Sequence, residues 1–203
     1  MPTQTFFNLS DKKQCTIIHA AVKEFSRVPL YEASIANIVK EACIPRGSFY
    51  QYFEGKEDLY YYLLHHISER NSTQFLTYLR VHNGDLFAAF IDLFQFMIQY
   101  HHNPEQKNLF RHIFLNLNYQ TENVLARNLY EEHRQHHFNE VIALIDAKLL
   151  NVCNQQELHA LLKIVMSVTF QSLMHVFVKK LPDEVALKHY QAQIELLKRG
   201  LAK

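Results

Sequence analysis

The chain has 203 residues, with 21 Lys and Arg against 20 Asp and Glu, 13 His and a formal net charge of +1. At 48% apolar residues it can bury a packed core, and its length suits one small domain plus a larger one. Four glycines and five prolines are too little punctuation for many short strands, and three cysteines without a signal peptide fit a reducing cytoplasm better than a disulfide-built secreted protein. No apolar run is read as approaching membrane-spanning length, and low-complexity segments and internal repeats are absent. The expectation is a soluble, cytoplasmic, all-α protein.

In chain order, a first helix carries Ala20 and Phe25 and ends at Arg27-Val28-Pro29-Leu30. The stretch from Ser34 to Leu59 is the most informative. Ser34 can cap a helix whose apolar residues Ile35, Ile38, Val39 and Ala42 share one face. Cys43 and Ile44 lie at a turn, and Pro45 suits the first position of a new helix because its missing N–H costs nothing there. That helix runs from about Arg46 to Tyr52. It is too short to stand alone, so Phe49 and Phe53, four apart, must clamp it by packing. Helix, tight turn and short second helix make a helix-turn-helix, whose second helix enters a DNA major groove.

The outward side chains match a groove. Arg46 can pair with guanine, Gln51 with adenine and Ser48 with either. Gly47 lets the backbone approach closely. Tyr52, the Ser34 hydroxyl and the first N–H groups of its helix suit phosphates, and Lys56, at the start of the next helix, can reach the same backbone. One feature opposes this: residues 1–60 hold seven Lys and Arg and seven Asp and Glu, no basic excess. Glu24, Glu32 and Glu41 need not face phosphates, however, and weak non-specific affinity with a shallow salt slope would follow.

Phe25 to Leu59 resembles the DNA-binding domain of the TetR/AcrR family of bacterial transcriptional regulators. The matching residues are Ala20, Phe25, Ser34, Ile35, Ile38, the run Gly47-Ser48-Phe49-Tyr50-Gln51-Tyr52-Phe53, and Lys56-Glu57-Asp58-Leu59. They cover about a quarter of the chain, and their combined spacing is more specific than a lone short motif. The resemblance implies DNA contacts by Ser34, Arg46, Gly47, Ser48, Tyr50, Gln51, Tyr52 and Lys56. Two departures bear on turn geometry: Cys43 and the Arg27–Leu30 loop stand where the family usually has glycine.

Further along, Gly55 can cap a helix with Glu57 and Asp58 in its first turn and Leu59, Leu63 and Ile67 on its inner face, running to about Arg80. Asn83-Gly84-Asp85 breaks the chain. Phe87, Phe90, Phe94 and Met97 mark the next helix, which ends near His102-Asn103-Pro104. Phe110, Ile113, Phe114 and Leu117 mark another. A long helix is expected from about Asn123 to Leu150, another from about Gln155 to Lys180, and a last one beyond Pro182. The resulting architecture is about nine helices, with a three-helix DNA-binding domain over residues 1–55 and a helical ligand-binding and dimerisation domain over 56–203.

The last two helices carry apolar stripes. Leu187, Tyr190, Ile194, Leu197 and Leu201 alternate three and four apart, beside a wide stripe that includes Leu158, Leu161, Leu162, Val165, Met166, Phe170, Leu173 and Phe177. Either the stripes pack on the domain's own core, or a homodimer seam runs through Leu162, Met166, Leu173, Leu187, Tyr190, Ile194 and Leu197. A dimer would read two half-sites ~34–36 Å apart, which a single short helix cannot. The rings of Phe87, Phe90, Phe94, Phe96, Tyr100, Phe110, Phe114 and Tyr119 form stripes at helical spacing, which are more often core than pocket. The family resemblance implies instead an inducer cavity, for which Phe87, Phe90, Phe94, Phe110, Phe114, Phe170 and His175 are the candidate lining and an apolar or aromatic small molecule the occupant.

Glu132, His133, His136 and His137 share a helix, and His133 with His137 has metal-pair spacing, but no nearby Cys or Asp completes a set, so no metal or other cofactor is assigned. Cys43 could sense oxidants, though free cysteines are usually inert packing. The reading is a ligand-responsive repressor that binds a palindromic double-stranded DNA operator as a homodimer, with no membrane partner and no enzyme activity. The alternatives are a metal-dependent enzyme, which lacks a nucleophile elbow or phosphate-cradling loop, and a helical interaction protein without DNA binding.

Overall fold

A computed structural model describes residues 1–100, 103–115 and 139–201. The described residues are helical, with no strand among them, as the sparse glycine and proline require. Besides the helical residues 139–144, the helices are α1 (Gln4–Phe7), α2 (Asp11–Arg27), α3 (Ile35–Glu41), α4 (Arg46–Tyr52), α5 (Lys56–Val81), α6 (Leu86–Tyr100), α7 (Pro104–Leu115), α8 (Gln155–Lys179) and α9 (Asp183–Leu201). Two compact units divide them: Met1–Glu69 with Asn103–Leu125, and Arg70–His102 with Ala126–Lys203.

In the first unit α2 packs against α3 and α7, and α4 against α1 and α3. Its core is Phe6, Ile17, Ala20, Ala21, Phe25, Ile38, Phe49, Phe53 and Leu59, all fully buried. The His112 ring of α7 lies with Nδ1 2.9 Å from the Phe25 carbonyl oxygen of α2. Helix α1 has no counterpart in the sequence reading. Four residues carry no helical period, and Thr3 makes no side-chain cap. What holds α1 is tertiary: the buried Phe6 ring stands 4.9 Å from Phe53 and 5.4 Å from Tyr62, centroid to centroid.

The second unit is centred on α6, α8 and α9. Tyr190 of α9 is fully buried, stacks on Phe94 at 4.1 Å and shares a 2.7 Å hydrogen bond with the Thr169 hydroxyl. Burial pushes the Tyr190 phenol well above its ordinary pKa, so it remains neutral. The turn before α6 is locked at Gly84, whose φ of +83° suits glycine and whose carbonyl accepts the Asp146 N–H at 3.1 Å.

Two expectations need correction. The helix drawn to Leu150 stops earlier: residues 139–144 are helical, but Asp146 turns the chain by accepting the Lys148 N–H at 3.0 Å, and Ala147–Leu149 form a 3-10 turn. An Asp side chain competing for backbone donors ends the helix. Second, α8 is long and apolar enough, by length and composition, to cross a membrane. The polar residues scattered along it hid this from a scan for unbroken apolar runs. Its Leu158, Leu161, Leu162, Val165, Leu173, Val176 and Phe177 are buried, as a core helix requires.

Candidate nucleic-acid interface

Glu24 of α2 is only 5% exposed, and its carboxylate sits at the start of α3. It accepts the Ser34 N–H at 2.8 Å and the Asn37 side-chain amide at 3.1 and 3.2 Å, while Arg27 donates from Nε at 2.9 Å and Nη2 at 2.7 Å. The first N–H groups of a helix lack partners and favour negative charge, so Glu24 caps α3 from a neighbouring helix. The Ser34 side chain, expected to cap, makes no such bond. The Arg27 guanidinium holds the Glu24 carboxyl below its ordinary range against the opposing cost of burial, with the Ser34 N–H and the Asn37 amide adding to the effect.

At the turn, Cys43 takes φ of +52°. Its N–H donates to Lys40 O at 3.3 Å, and the Ile44 N–H donates to Val39 O at 3.1 Å, which closes the end of α3 around a left-handed residue. The left-handed conformation glycine would adopt there is retained with a side chain, and the hydrogen bonds hold it.

Helix α4 then has two distinct sides. Phe49 and Phe53 are fully buried, with rings 5.6 Å apart, and fix the helix against the unit. Arg46, Gly47, Tyr50 and Gln51, at i, i+1, i+4 and i+5, are exposed together, with Ser48 and Tyr52 half-buried beside them. The Arg46 Nη2 lies 3.3 Å from the Tyr50 hydroxyl, and its guanidinium carbon 5.9 Å from the Tyr50 ring centre, so the pair steadies one donor fork on the exposed side. A Cβ on Gly47 would meet nothing within 4 Å. Nothing inside the chain requires glycine there, and the space it leaves opens outward.

The cations are unevenly available. Lys23 bonds Glu41 at 2.8 Å and Arg27 bonds Glu24. Lys56, read as reaching phosphate, donates to the carbonyls of Tyr31 at 2.8 Å and Ala33 at 3.0 Å, which ties α5 to the loop before α3. An ammonium has three donors, so one remains for another acceptor. Neither Glu24 nor Asn37 stands out in the sequence as a site residue. A carboxylate embedded between Ala20, Ala21 and Phe25 on an apolar helix face was the available signal.

The other sequence-derived sites are distributed as follows. Phe87, Phe90 and Phe94 are buried in the second unit, Phe90 4.6 Å from Phe75, while Phe170 is 44% exposed and His175 half-buried. Phe110 and Phe114 belong to the first unit. Leu162, Leu173, Tyr190 and Ile194 are buried within their own chain, which leaves them no surface for a second one. Leu187 and Leu197 are half-buried, and Met166 is 45% exposed. The predicted His133 cluster lies outside the described residues. Among the described residues no group of His, Cys, Asp and Glu comes together as a metal set.

Comparison with known proteins agrees with this geometry. The family model described as bacterial regulatory proteins, tetR family, matches residues 17–63, and that of the tetracyclin repressor-like C-terminal domain matches residues 85–201. No curated protein matches the chain. Among solved structures, a TetR family transcriptional regulator from Chloroflexus aurantiacus J-10-FL is 24% identical, with 100% of this chain and 99% of that one covered and a TM-score of 0.52. One from Marinobacter aquaeolei VT8 is 16% identical, covering 95% and 97%, with a TM-score of 0.61. Identities this low speak for the fold, whereas the family models span both parts of the chain. The chain belongs to the TetR family of bacterial transcriptional regulators, a family of non-enzymatic DNA-binding proteins.

Proposed function

We propose that the protein is a ligand-responsive repressor that binds a palindromic operator as a homodimer and releases it when a small apolar or aromatic molecule binds. The observation that carries the DNA reading is the face of Arg46, Gly47, Tyr50 and Gln51, presented together on a helix anchored beneath by Phe49 and Phe53. Ser48 stands beside it as a further base contact, and Ser34, Tyr52 and the remaining donor of Lys56 flank it as phosphate contacts. The working division is DNA binding over residues 1–55 and ligand binding and dimerisation over 56–203.

Exposed apolar side chains support the dimer. Met166 and Phe170 of α8, one helical turn apart, are 45% and 44% exposed, and Val185 and Leu196 of α9, which fall on one face of their helix, are 39% and 66% exposed. These outward side chains, Met166 of the predicted seam among them, are the surface two copies would share. Support for ligand response comes from α7. It lies within the match to the C-terminal domain yet packs on α2, with His112 at the Phe25 carbonyl. A ligand that favours one arrangement of α7 would shift the population of DNA-competent protein.

The test is selection of sites from random duplex DNA by purified protein, with an Arg46→Ala, Tyr52→Ala variant in parallel. Enrichment of a palindrome by the wild type alone is expected. No enrichment at low salt by folded, ligand-stripped protein would refute the reading.

A further inference from the structure

The recognition helix α4 has seven residues, about two turns, and no basic side chain in its last turn. The carbonyls at the end of so short a helix lack helical partners, and two turns have little rigidity of their own. Two of those carbonyls are occupied from the N-terminal segment. The Thr3 hydroxyl donates to Gln51 O at 2.6 Å, and the Thr3 N–H donates to Tyr52 O at 2.9 Å. Thr3 is in turn braced by α1, where its carbonyl accepts the Phe6 N–H at 3.0 Å. The Phe6 ring is fully buried, 4.9 Å from Phe53 and 6.4 Å from Tyr52. The segment is secured from behind by Gln14, whose side-chain amide donates to Leu9 O at 3.0 Å.

The gripped backbone belongs to Gln51 and Tyr52, the two residues at the end of α4 that carry proposed DNA contacts. We infer that Thr3 and Phe6 form a strap that positions the recognition helix, setting the aim of Gln51 and Tyr52 and so the base selectivity of the protein without contacting a base. The inference rests on the DNA-binding reading. Direct hydrogen bonds to base edges depend on alignment, whereas phosphate attraction tolerates small displacements. Loosening the strap therefore lowers specific affinity and leaves non-specific affinity in place.

The experiment uses the full chain and an operator obtained by selection, with a scrambled duplex as the non-specific probe, both read by fluorescence anisotropy. Thr3→Val keeps the shape of the side chain and removes its donor; Thr3→Ser keeps the donor; Phe6→Ala removes the wedge. Thr3→Val is expected to lose about ten-fold in operator affinity, the scale of one misaligned base contact, with the scrambled duplex bound as by wild type. Thr3→Ser restores the operator affinity. In a Gln51→Ala background the Thr3→Val loss disappears, because the strap acts through Gln51. Equal losses on operator and scrambled DNA, failure of Thr3→Ser to restore, or an undiminished loss in the Gln51→Ala background would each overturn the strap. If Phe6→Ala unfolds the protein, the Thr3 series still decides. Wild-type protein that selects no operator refutes the DNA-binding reading and the strap with it, whereas operator binding unaffected by Thr3→Val refutes the strap alone.

Discussion

Replacing Glu24 with Gln changes a carboxylate into an amide where every neighbour is a donor. The native oxygens accept from the Ser34 N–H, the Asn37 amide and two nitrogens of Arg27 at 2.7–3.2 Å. Gln offers one acceptor and turns an NH2 toward those donors. Hydrogen bonds to a charged group contribute about 1.5–3 kcal/mol each, and exposed ion pairs about 0–1. Arg27 is 55% exposed, so its share is small, and the Ser34 and Asn37 bonds dominate. The expected loss is about 2–3 kcal/mol, or a fall in Tm of roughly 4–12 °C for a chain of this size.

Because the folded-state pKa of Glu24 is lowered, its stabilisation is complete above the unfolded value of 4.5 and fades as pH falls through the folded one. Wild type and Glu24→Gln, compared by urea unfolding at pH 7 and in steps down to acid, should differ most at neutral pH and converge below the folded-state pKa. A difference under about 0.5 kcal/mol at pH 7, or one that persists unchanged in acid, would refute the assignment of Glu24 as the cap of α3.

Cys43→Gly is expected to stabilise by about 1 kcal/mol, since φ of +52° is strained for a side-chain-bearing residue; thermal unfolding decides it, and a lower Tm counts against the strain. Gly47→Ala should raise helix stability by up to about 1 kcal/mol, because its methyl meets nothing, while weakening operator binding in anisotropy by crowding the DNA. Both quantities moving together would remove the case for close approach. Gly84→Ala should cost about 1–3 kcal/mol in urea unfolding, as φ is +83° and the new Cβ would sit 2.5 Å from the Asp146 nitrogen. Met166→Asp, beside the exposed Phe170 on α8, should yield monomers in sedimentation with little loss of Tm; retained dimers would move the interface elsewhere.

What could be read from the sequence was what lies close in the chain. The helix-turn-helix was legible because Ser34 to Leu59 carries its own period, turn and clamp in 26 residues. Glu24 acting on Ser34, ten positions away, was not, since a carboxylate on α2 reveals its partner only when the helices cross. Thr3 and Phe6 were hidden for the same reason, 48 residues from the Gln51 carbonyl that Thr3 holds. On α8 and α9 the apolar stripe is wider than one face. Periodicity therefore could not separate Leu162 and Leu173, which are buried, from Met166 and Phe170, which are not.

The pairing of Lys23 with Glu41 and Arg27 with Glu24, together with the carbonyl-bound Lys56, has a kinetic consequence. Of the seven cations in residues 1–60, Lys12, Lys13, Lys40 and Arg46 have neither an acidic partner nor a backbone carbonyl among the described residues. Affinity for arbitrary duplex scales with the number of phosphates neutralised, and prolonged sliding depends on that affinity. A protein with so few available charges would leave random DNA quickly and find its operator by repeated encounters from solution, each too brief for a long one-dimensional scan. Retention at the right site would then rest on the base contacts of a two-turn helix.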